Sequence, residues 1–261
     1  MPRQRSRWSS TSTATSKGLS RLKIFSPRWS GDGEFFGFHA GGNDYFAHCD
    51  PRGRADLWHN ETPVQEEGYL TDLLSHRAVD VVERQAASAQ PFLLSLHYSA
   101  PHWPWLTRDD REESRRIAGV GKHLDGGSIA TYQRMVHHMD EGIGWVLDAL
   151  RRTGLERNTL VVFTSDNGGE RFSNNWPLVG QKMDLLEGGI RVPLIARWPA
   201  QIAAGGVCEV PNTTMDWTAT MLAAAGVPAH PDYPLDGINL LDVLAAPARP
   251  KPPRDLFCLM K

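Results

Sequence analysis

The stretch of sequence that decides the fold is Thr159-Leu-Val-Val-Phe-Thr164, followed at once by Ser165-Asp-Asn-Gly-Gly169. Its first six residues form a continuous apolar run rather than an alternating one, which is typical of a parallel strand buried on both faces. The polar turn that follows lies at the carboxyl end of this strand, where ligands bind in α/β proteins. We therefore predict a buried strand that leads into a loop with oxygen ligands and two glycines.

Helices and strands alternate on both sides of this stretch. Further apolar runs predict strands at residues 92–97 and 192–196, and apolar spacing predicts helices over 68–85, 128–152 and 214–225. Gly154 and Gly226 follow the last two helices as terminating residues. This order of elements predicts an α/β sheet that is covered by helices on both faces.

Composition excludes several classes of protein. The 261 residues include 28 Lys plus Arg and 30 Asp plus Glu, a net charge of −2, so bulk charge does not favour nucleic acid or an anionic membrane as a partner. The 41% hydrophobic share argues against disorder of the whole chain. We expect no membrane span, because no apolar run approaches the roughly 20 residues that one requires. The first residues also lack the apolar stretch of a secretory signal peptide. Three separated cysteines indicate neither a disulfide framework nor a zinc cluster.

Three loops contain the candidate functional residues. His102 lies in a stiff turn between two prolines, Asp166 and Asn167 follow the deciding strand, and Lys182 precedes the third strand. Each has an ordinary alternative, since His102 alone fits a packed histidine, the Asp-Asn pair a simple turn and Lys182 a solvated lysine. Their joint occurrence favours a site for a divalent cation and a tetrahedral anion. Calcium takes six to eight oxygen ligands, of which Asp166 and Asn167 offer two.

Taken together, these blocks resemble the sulfatase family. The blocks that match in order and spacing are Pro91 to His102, Asp140 to Leu147, Thr159 to Gly169 and Gly180 to Pro193. The resemblance covers roughly residues 25–245. It implies an alkaline-phosphatase-like, three-layer α/β/α sandwich with a mostly parallel sheet, and arylsulfatase-like hydrolysis of small-molecule or glycan sulfate esters.

The resemblance also implies roles for four residues. Asp166 and Asn167 match calcium ligands of the family. His102 and Lys182 match the catalytic pair that holds the sulfate and assists departure of the leaving group. The family nucleophile is a formylglycine, made from the first residue of a Cys/Ser-x-Pro/Ala-x-Arg motif. Cys49-Asp-Pro-Arg-Gly53 lacks the final arginine of that motif.

These departures lead us to expect an incomplete sulfatase. The two adjacent aspartates that complete the family's calcium site have no counterpart before Glu34. We expect a disordered or non-homologous tail at 1–24, a partial core domain at 25–245, and a linker with the truncated start of a C-terminal subdomain at 246–261. The alternatives are a catalytically inactive remnant or anion-binding module, and a phosphoesterase of the same superfamily. The substrate, compartment and oligomeric state are not fixed by the sequence.

Overall fold

The structure is a computed structural model. It describes residues 33–88, 90–120, 123–246 and 254–258, together with the backbone of residues 20–25. The chain divides into two compact units, residues 1–78 with 92–142 and residues 79–91 with 143–261. Most of the predicted tail at 1–24 and part of the predicted segment 246–261 lie outside the described residues. The proposed bounds of the core domain, 25–245, stay a prediction.

The first unit contains a sheet of five short strands. In sheet order these are β4 (Thr62–Pro63), β3 (Trp58–His59), β2 (Phe35–Phe38), β1 (Ser20–Phe25) and β5 (Leu93–Ser95). Phe36 on β2 lies opposite Leu22 on β1 and His59 on β3. All four residues of β2 are buried, so this strand contributes three aromatic side chains to the core of the first unit.

Three helices come next along the chain, two of them long. They are α1 (Leu70–Ser88), α2 (Arg111–Ile117) and α3 (Ile129–Arg152). The predicted helices at 68–85 and 128–152 are thereby confirmed. Leu70 in α1 and Met135 in α3, both apolar positions, have no exposed surface. Gly154 has a φ of +75°, the left-handed conformation that ends many helices.

The second unit contains a two-stranded sheet and short helices. Its strands are β6 (Val161–Thr164) and β7 (Leu194–Arg197), and Phe163 lies opposite Ile195. A 3₁₀ turn at Glu156–Asn158 precedes β6. The helices are α4 (Glu187–Ile190), α5 (Thr214–Ala224) and α6 (Leu241–Ala245). The helix predicted at 214–225 is thereby confirmed.

The strands differ from the sequence-based expectation in direction and burial. Every strand pair among the described residues is antiparallel, whereas we expected a mostly parallel sheet. A continuous apolar run indicates burial, not direction, and pairing depends on partners far away in sequence. The runs expected to be buried are in fact partly exposed, as Ile195 with 62% exposure shows. No helix in the described part of the chain is long and apolar enough to span a membrane.

Candidate active site

His102 lies in the first unit, in the loop that follows β5. Its backbone N–H donates to the Ser99 carbonyl at 2.8 Å, which closes the turn. Its ring Nδ1 lies 2.8 Å from the Trp103 carbonyl oxygen. Because a carbonyl only accepts, Nδ1 must hold the proton in the neutral ring. The lone pair is therefore on Nε2, and Nε2 is the atom that can take up and deliver a proton.

Asp166 and Asn167 lie in the second unit, in the turn after β6. The Ser165 hydroxyl donates to the Asn167 carbonyl at 3.1 Å, and the Asn167 side-chain N–H donates to the Gly168 carbonyl at 2.9 Å. The side-chain nitrogen of Asn167 thus makes this hydrogen bond, and the side-chain oxygen does not take part in it. The Asp166 side chain is exposed and makes no hydrogen bond or ion pair with any described residue. The two carboxylate oxygens of Asp166 and the amide oxygen of Asn167 are therefore left for a ligand.

Lys182 is fixed to the same turn through its backbone. Its N–H donates to the Gly169 carbonyl at 3.0 Å, so lysine and turn are in direct contact. The ammonium group lies 3.7 Å from a carboxylate oxygen of Glu170. The Lys182 side chain is 24% exposed, so the cation is partly shielded and still reachable. An anion could displace Glu170 or share the lysine with it.

Glycines let the turn and the lysine segment approach closely. Gly168 N–H donates to the Gly189 carbonyl at 2.9 Å. A Cβ atom on Gly168 would lie 1.8 Å from the Gly188 carbonyl oxygen, far inside van der Waals contact. A Cβ on Gly189 would lie 2.2 Å from the Asp184 carbonyl oxygen. The Gly-Gly pairs of the sequence are therefore required by packing as well as by turn geometry.

Asn175 is a further residue of this site that sequence reasoning missed. Its side-chain oxygen accepts the N–H of Gly169 at 3.1 Å. Its side-chain nitrogen lies 3.1 Å from the carbonyl oxygens of both Gly169 and Gly180. One amide thus joins the turn after β6 to the start of the lysine segment. No spacing rule marks this asparagine, because its partners are backbone atoms.

The sequence-predicted residues are only partly brought together. Asp166, Asn167 and Lys182 share one hydrogen-bonded backbone arrangement in the second unit, whereas His102 lies in the first. In the described part of the chain, no group of three or more His, Cys, Asp or Glu side chains could hold a metal ion. The carboxylate of Asp166 and the amide oxygen of Asn167 suit a hard cation such as calcium, as two members of a larger ligand set.

Cys49, in the stretch compared above with the family's nucleophile motif, is poorly suited to act as a nucleophile. Cys49 is buried, and desolvation raises the pKa of its thiol, which disfavours the reactive thiolate. The neighbouring Asp50 is committed to the backbone N–H groups of Arg52 and Arg54 and to the Arg54 guanidinium. Cys208 and Cys258 are exposed free thiols.

Fold and site together define an α/β protein with a polar site on loops that follow short strands. The chain belongs to the sulfatase family, whose model, described as Sulfatase, matches residues 8–227. It is 30% identical over 235 residues to the uncharacterized sulfatase YdeN of Escherichia coli (strain K12), and covers 40% of that protein with 88% of its own length. It is 34% identical over 196 residues to the N-acetylgalactosamine-6-sulfatase of Mus musculus, covering 35% of that protein with 72% of its own length.

Solved structures confirm the fold class. Ps i-CgsB matches with a TM-score of 0.69 and 33% identity, over 81% of this chain and 49% of that chain. BT4656 matches with a TM-score of 0.57 and 22% identity over 78% of this chain and 56% of that chain, a likeness of fold alone. The predicted alkaline-phosphatase-like α/β fold is thereby confirmed. The chain spans less than half the length of the curated relatives named above.

Proposed function

We propose that this protein hydrolyses sulfate esters, with His102 and Lys182 contacting the sulfate and Asp166 and Asn167 contributing to a calcium site. Membership of the sulfatase family supports the class of reaction. The observation that supports the site most directly is the hydrogen bond from Lys182 N–H to the Gly169 carbonyl, which ties a cation to the oxygen-rich turn. Such a pairing suits an anionic ester, because Asp166 and Asn167 would help to hold a cation and Lys182 would supply a second positive charge.

The two cationic groups would act in different ways. The Lys182 ammonium would neutralise a sulfate oxygen throughout the reaction, because its pairing with Glu170 keeps it near the turn. As an oxygen nucleophile bonds to sulfur and the S–O bond to the alcohol breaks, the protonated Nε2 of His102 would donate its proton to the departing alcohol oxygen, since Nδ1 is already committed to Trp103. Bound calcium would supply positive charge for the sulfate oxygens. We assign the nucleophile to no residue of this sequence.

The proposed substrate class is a sulfate ester of a sugar. A structure similar to this chain, Ps i-CgsB, is in complex with k-i-k-neocarrahexaose, at 34% identity. The mouse relative is an N-acetylgalactosamine-6-sulfatase by its name. Trp103 supports the same class, because its ring lies 4.8 Å from that of His102 and is only partly buried, which suits an aromatic contact with a sugar.

Calorimetric titration separates the two halves of the proposal. We expect Asp166→Asn to weaken calcium binding, with Asp232→Asn as the control for loss of one exposed carboxylate in the same unit. We expect Lys182→Met to raise the dissociation constant for inorganic sulfate by about tenfold or more, because a charge-assisted hydrogen bond is lost. Arg191→Met is the matched control, since it removes one positive charge from the same segment at an exposed position.

Hydrolysis assays then test the reaction. In a protein that joins this chain to the family nucleophile, we expect turnover of a sulfated sugar to exceed turnover of the matching phosphate ester, and to fall in His102→Ala. This chain alone is expected to hydrolyse sulfate esters no faster than its His102→Ala variant. Preference for the phosphate ester would favour a phosphoesterase instead. Sulfate binding without turnover, equal in protein and His102→Ala variant, would favour an anion-binding module. Calcium and sulfate titrations that do not change in any site variant would overturn the proposal.

A further inference from the structure

The backbone from His102 to Leu106 is held by side chains from elsewhere in the first unit. Pro101 and Pro104 have no N–H, so this part of the chain cannot form a regular hydrogen-bond ladder. Instead, the Tyr45 hydroxyl donates to the His102 carbonyl at 3.0 Å, and the Tyr69 hydroxyl donates to the Leu106 carbonyl at 2.8 Å. The two ends of a five-residue segment are thus each fixed by one tyrosine.

The two tyrosines form one buried unit. Their rings stack at 5.2 Å between centroids with 20° between planes, and their exposed fractions are 0% and 4%. The Leu70 N–H donates to the Tyr45 carbonyl at 2.8 Å, which fixes the backbone of Tyr45 beside Tyr69. Burial raises the pKa of both phenols. Both hydroxyls therefore stay protonated and act as donors at any pH at which the protein works.

A third side chain contacts the middle of the segment. The Trp105 N–H donates to Nδ1 of His123 at 3.2 Å, so Nδ1 is an acceptor and Nε2 must hold the proton of the neutral ring. That Nε2 lies 3.0 Å from the Glu113 carboxylate, which completes the orientation of His123. The segment is therefore fixed at His102, Trp105 and Leu106 by groups that have no part in the proposed reaction.

We infer that Tyr45 and Tyr69 are positioning residues, which hold the His102–Leu106 backbone so that the Trp103 carbonyl keeps the proton of His102 on Nδ1. The Trp103 carbonyl lies inside the segment that the two hydroxyls fix, so its direction depends on them. Because Nδ1 carries the proton of the neutral ring, the lone pair is on Nε2, and Nε2 is the atom that takes part in proton transfer. The role of His102 in proton transfer rests on the proposed function. The way in which its tautomer is set does not depend on that function.

Tyr45→Phe tests the inference without relying on catalysis. It removes one hydroxyl and leaves the His102 carbonyl without its donor. Long-range ¹H–¹⁵N correlation spectra at pH 8.5 report the tautomer of His102, assigned by the signals that His102→Gln removes. We expect the Nδ1–H form to dominate in the unsubstituted protein and the Nε2–H form to grow in Tyr45→Phe. We expect the His102 and Trp105 amides to exchange about tenfold faster, since the part-buried His102 carbonyl loses its hydrogen-bond donor.

Tyr98→Phe is the matched control. Tyr98 is half-buried in the same unit and its hydroxyl lies 2.9 Å from the Ser75 hydroxyl, so the variant loses a comparable bond outside the segment. We expect it to leave the His102 tautomer unchanged. The same tautomer shift in Tyr98→Phe would mean a general loss of stability and would overturn the inference. An unchanged tautomer in Tyr45→Phe would overturn it as well.

Two further measurements complete the test. If Tyr45→Phe does not fold, Tyr69→Phe decides, because it releases the Leu106 end of the segment while the Tyr45 contact remains. A folded Tyr69→Phe protein with an unchanged His102 tautomer would overturn the inference. Titration with inorganic sulfate distinguishes the two proposals. If Tyr45→Phe shifts the tautomer while His102→Gln binds sulfate like the unsubstituted protein, the positioning role holds and the proposed function fails.

Discussion

Replacement of Asp216 by asparagine is expected to be among the most costly single changes in the second unit. The Asp216 side chain has no exposed surface, and both of its carboxylate oxygens accept hydrogen bonds. One oxygen accepts from Thr213 N–H at 2.8 Å and Arg254 at 2.6 Å, the other from Ile238 N–H and Arg254, both at 2.8 Å. This carboxylate thus joins the start of α5 to two later parts of the chain.

The magnitude follows from how many of these bonds an amide can keep. Asparagine has one acceptor oxygen, so its NH₂ group faces one backbone N–H and one guanidinium N–H of the original set. Two hydrogen bonds to a charged group, at about 1.5–3 kcal/mol each, sum to about 3–6 kcal/mol. Breaking a buried ion pair costs about 3–5 kcal/mol, and we take that range as the expected loss. For a chain of this size, that corresponds to a fall in the melting temperature of about 6–20 °C.

Urea unfolding followed by tryptophan fluorescence measures the loss, because Trp217 is buried next to Asp216 in α5. Glu187→Gln is the control, since the Glu187–Arg191 pair is exposed on both sides and is expected to contribute about 0–1 kcal/mol. A loss below about 1 kcal/mol in Asp216→Asn, equal to that of the control, would refute the reasoning.

The pH dependence gives a second signature of the same carboxylate. Burial alone would raise its pKa, but the hydrogen bonds from Arg254 and from the backbone lower the pKa of Asp216 in the folded protein. A lowered folded pKa means that the stabilisation is fully present above the unfolded value of about 3.9 and is lost as the pH falls further. We therefore expect the difference between Asp216→Asn and the unsubstituted protein to shrink below pH 4.

Burial lowers the pKa of His48, so the free energy of unfolding is expected to decrease as the pH falls from 7 to 5, and less so in His48→Asn, which tolerates the left-handed backbone at φ +47°. Urea unfolding at a series of pH values measures this free energy, and an equal dependence on pH in both proteins would contradict the prediction. Gly168→Ala is expected to abolish calcium binding by displacing the turn, whereas Gly144→Ala, with open space around it, should stabilise α3 by about 1 kcal/mol. At pH 7.5, Ellman's reagent is expected to modify the two exposed cysteines quickly and Cys49 slowly; three equal rates would contradict its burial.

Helices were predicted well because their signals are local. The apolar period gave α3 to within one residue of its start, and Gly154 marked its end. Helix α2 is not among the helices predicted from the sequence, because Ile117 is its one apolar anchor. Its ion pairs at i,i+3 spacing, Arg115 with Glu112 and Arg116 with Glu113, are the signal that could have revealed it.

Strand partners could not be predicted in the same way. The run at 92–97 became β5, which pairs with β1 some 70 residues earlier, at Lys23 opposite Ser95. The run at 159–164 became β6, which pairs with β7 across a loop that contains the candidate site. Such pairings depend on long-range packing, and an apolar run reports only that one strand is present.

The sequence predicted those residues of the candidate site whose own side chains would contact a ligand. Asp166 and Lys182 are visible in the sequence as a carboxylate in a glycine turn and a cation before a strand. Asn175 and Tyr45 were not, because each acts on backbone atoms, and Tyr45 reaches a carbonyl 57 positions away. The contribution of such residues lies in the fold, and one sequence does not show it.

The interlocked glycine turns have a consequence for engineering. Because the turn after β6 and the segment up to Gly189 share hydrogen bonds and leave no room for a Cβ between them, neither can be exchanged alone. A chimaera could receive the Asp166 turn from one relative and the Lys182 segment from another. Its two segments would then not match each other in their hydrogen bonds and close contacts. The stretch from Ser165 to Arg191 is therefore the smallest piece of the second unit that can be transplanted with the contacts between these turns intact.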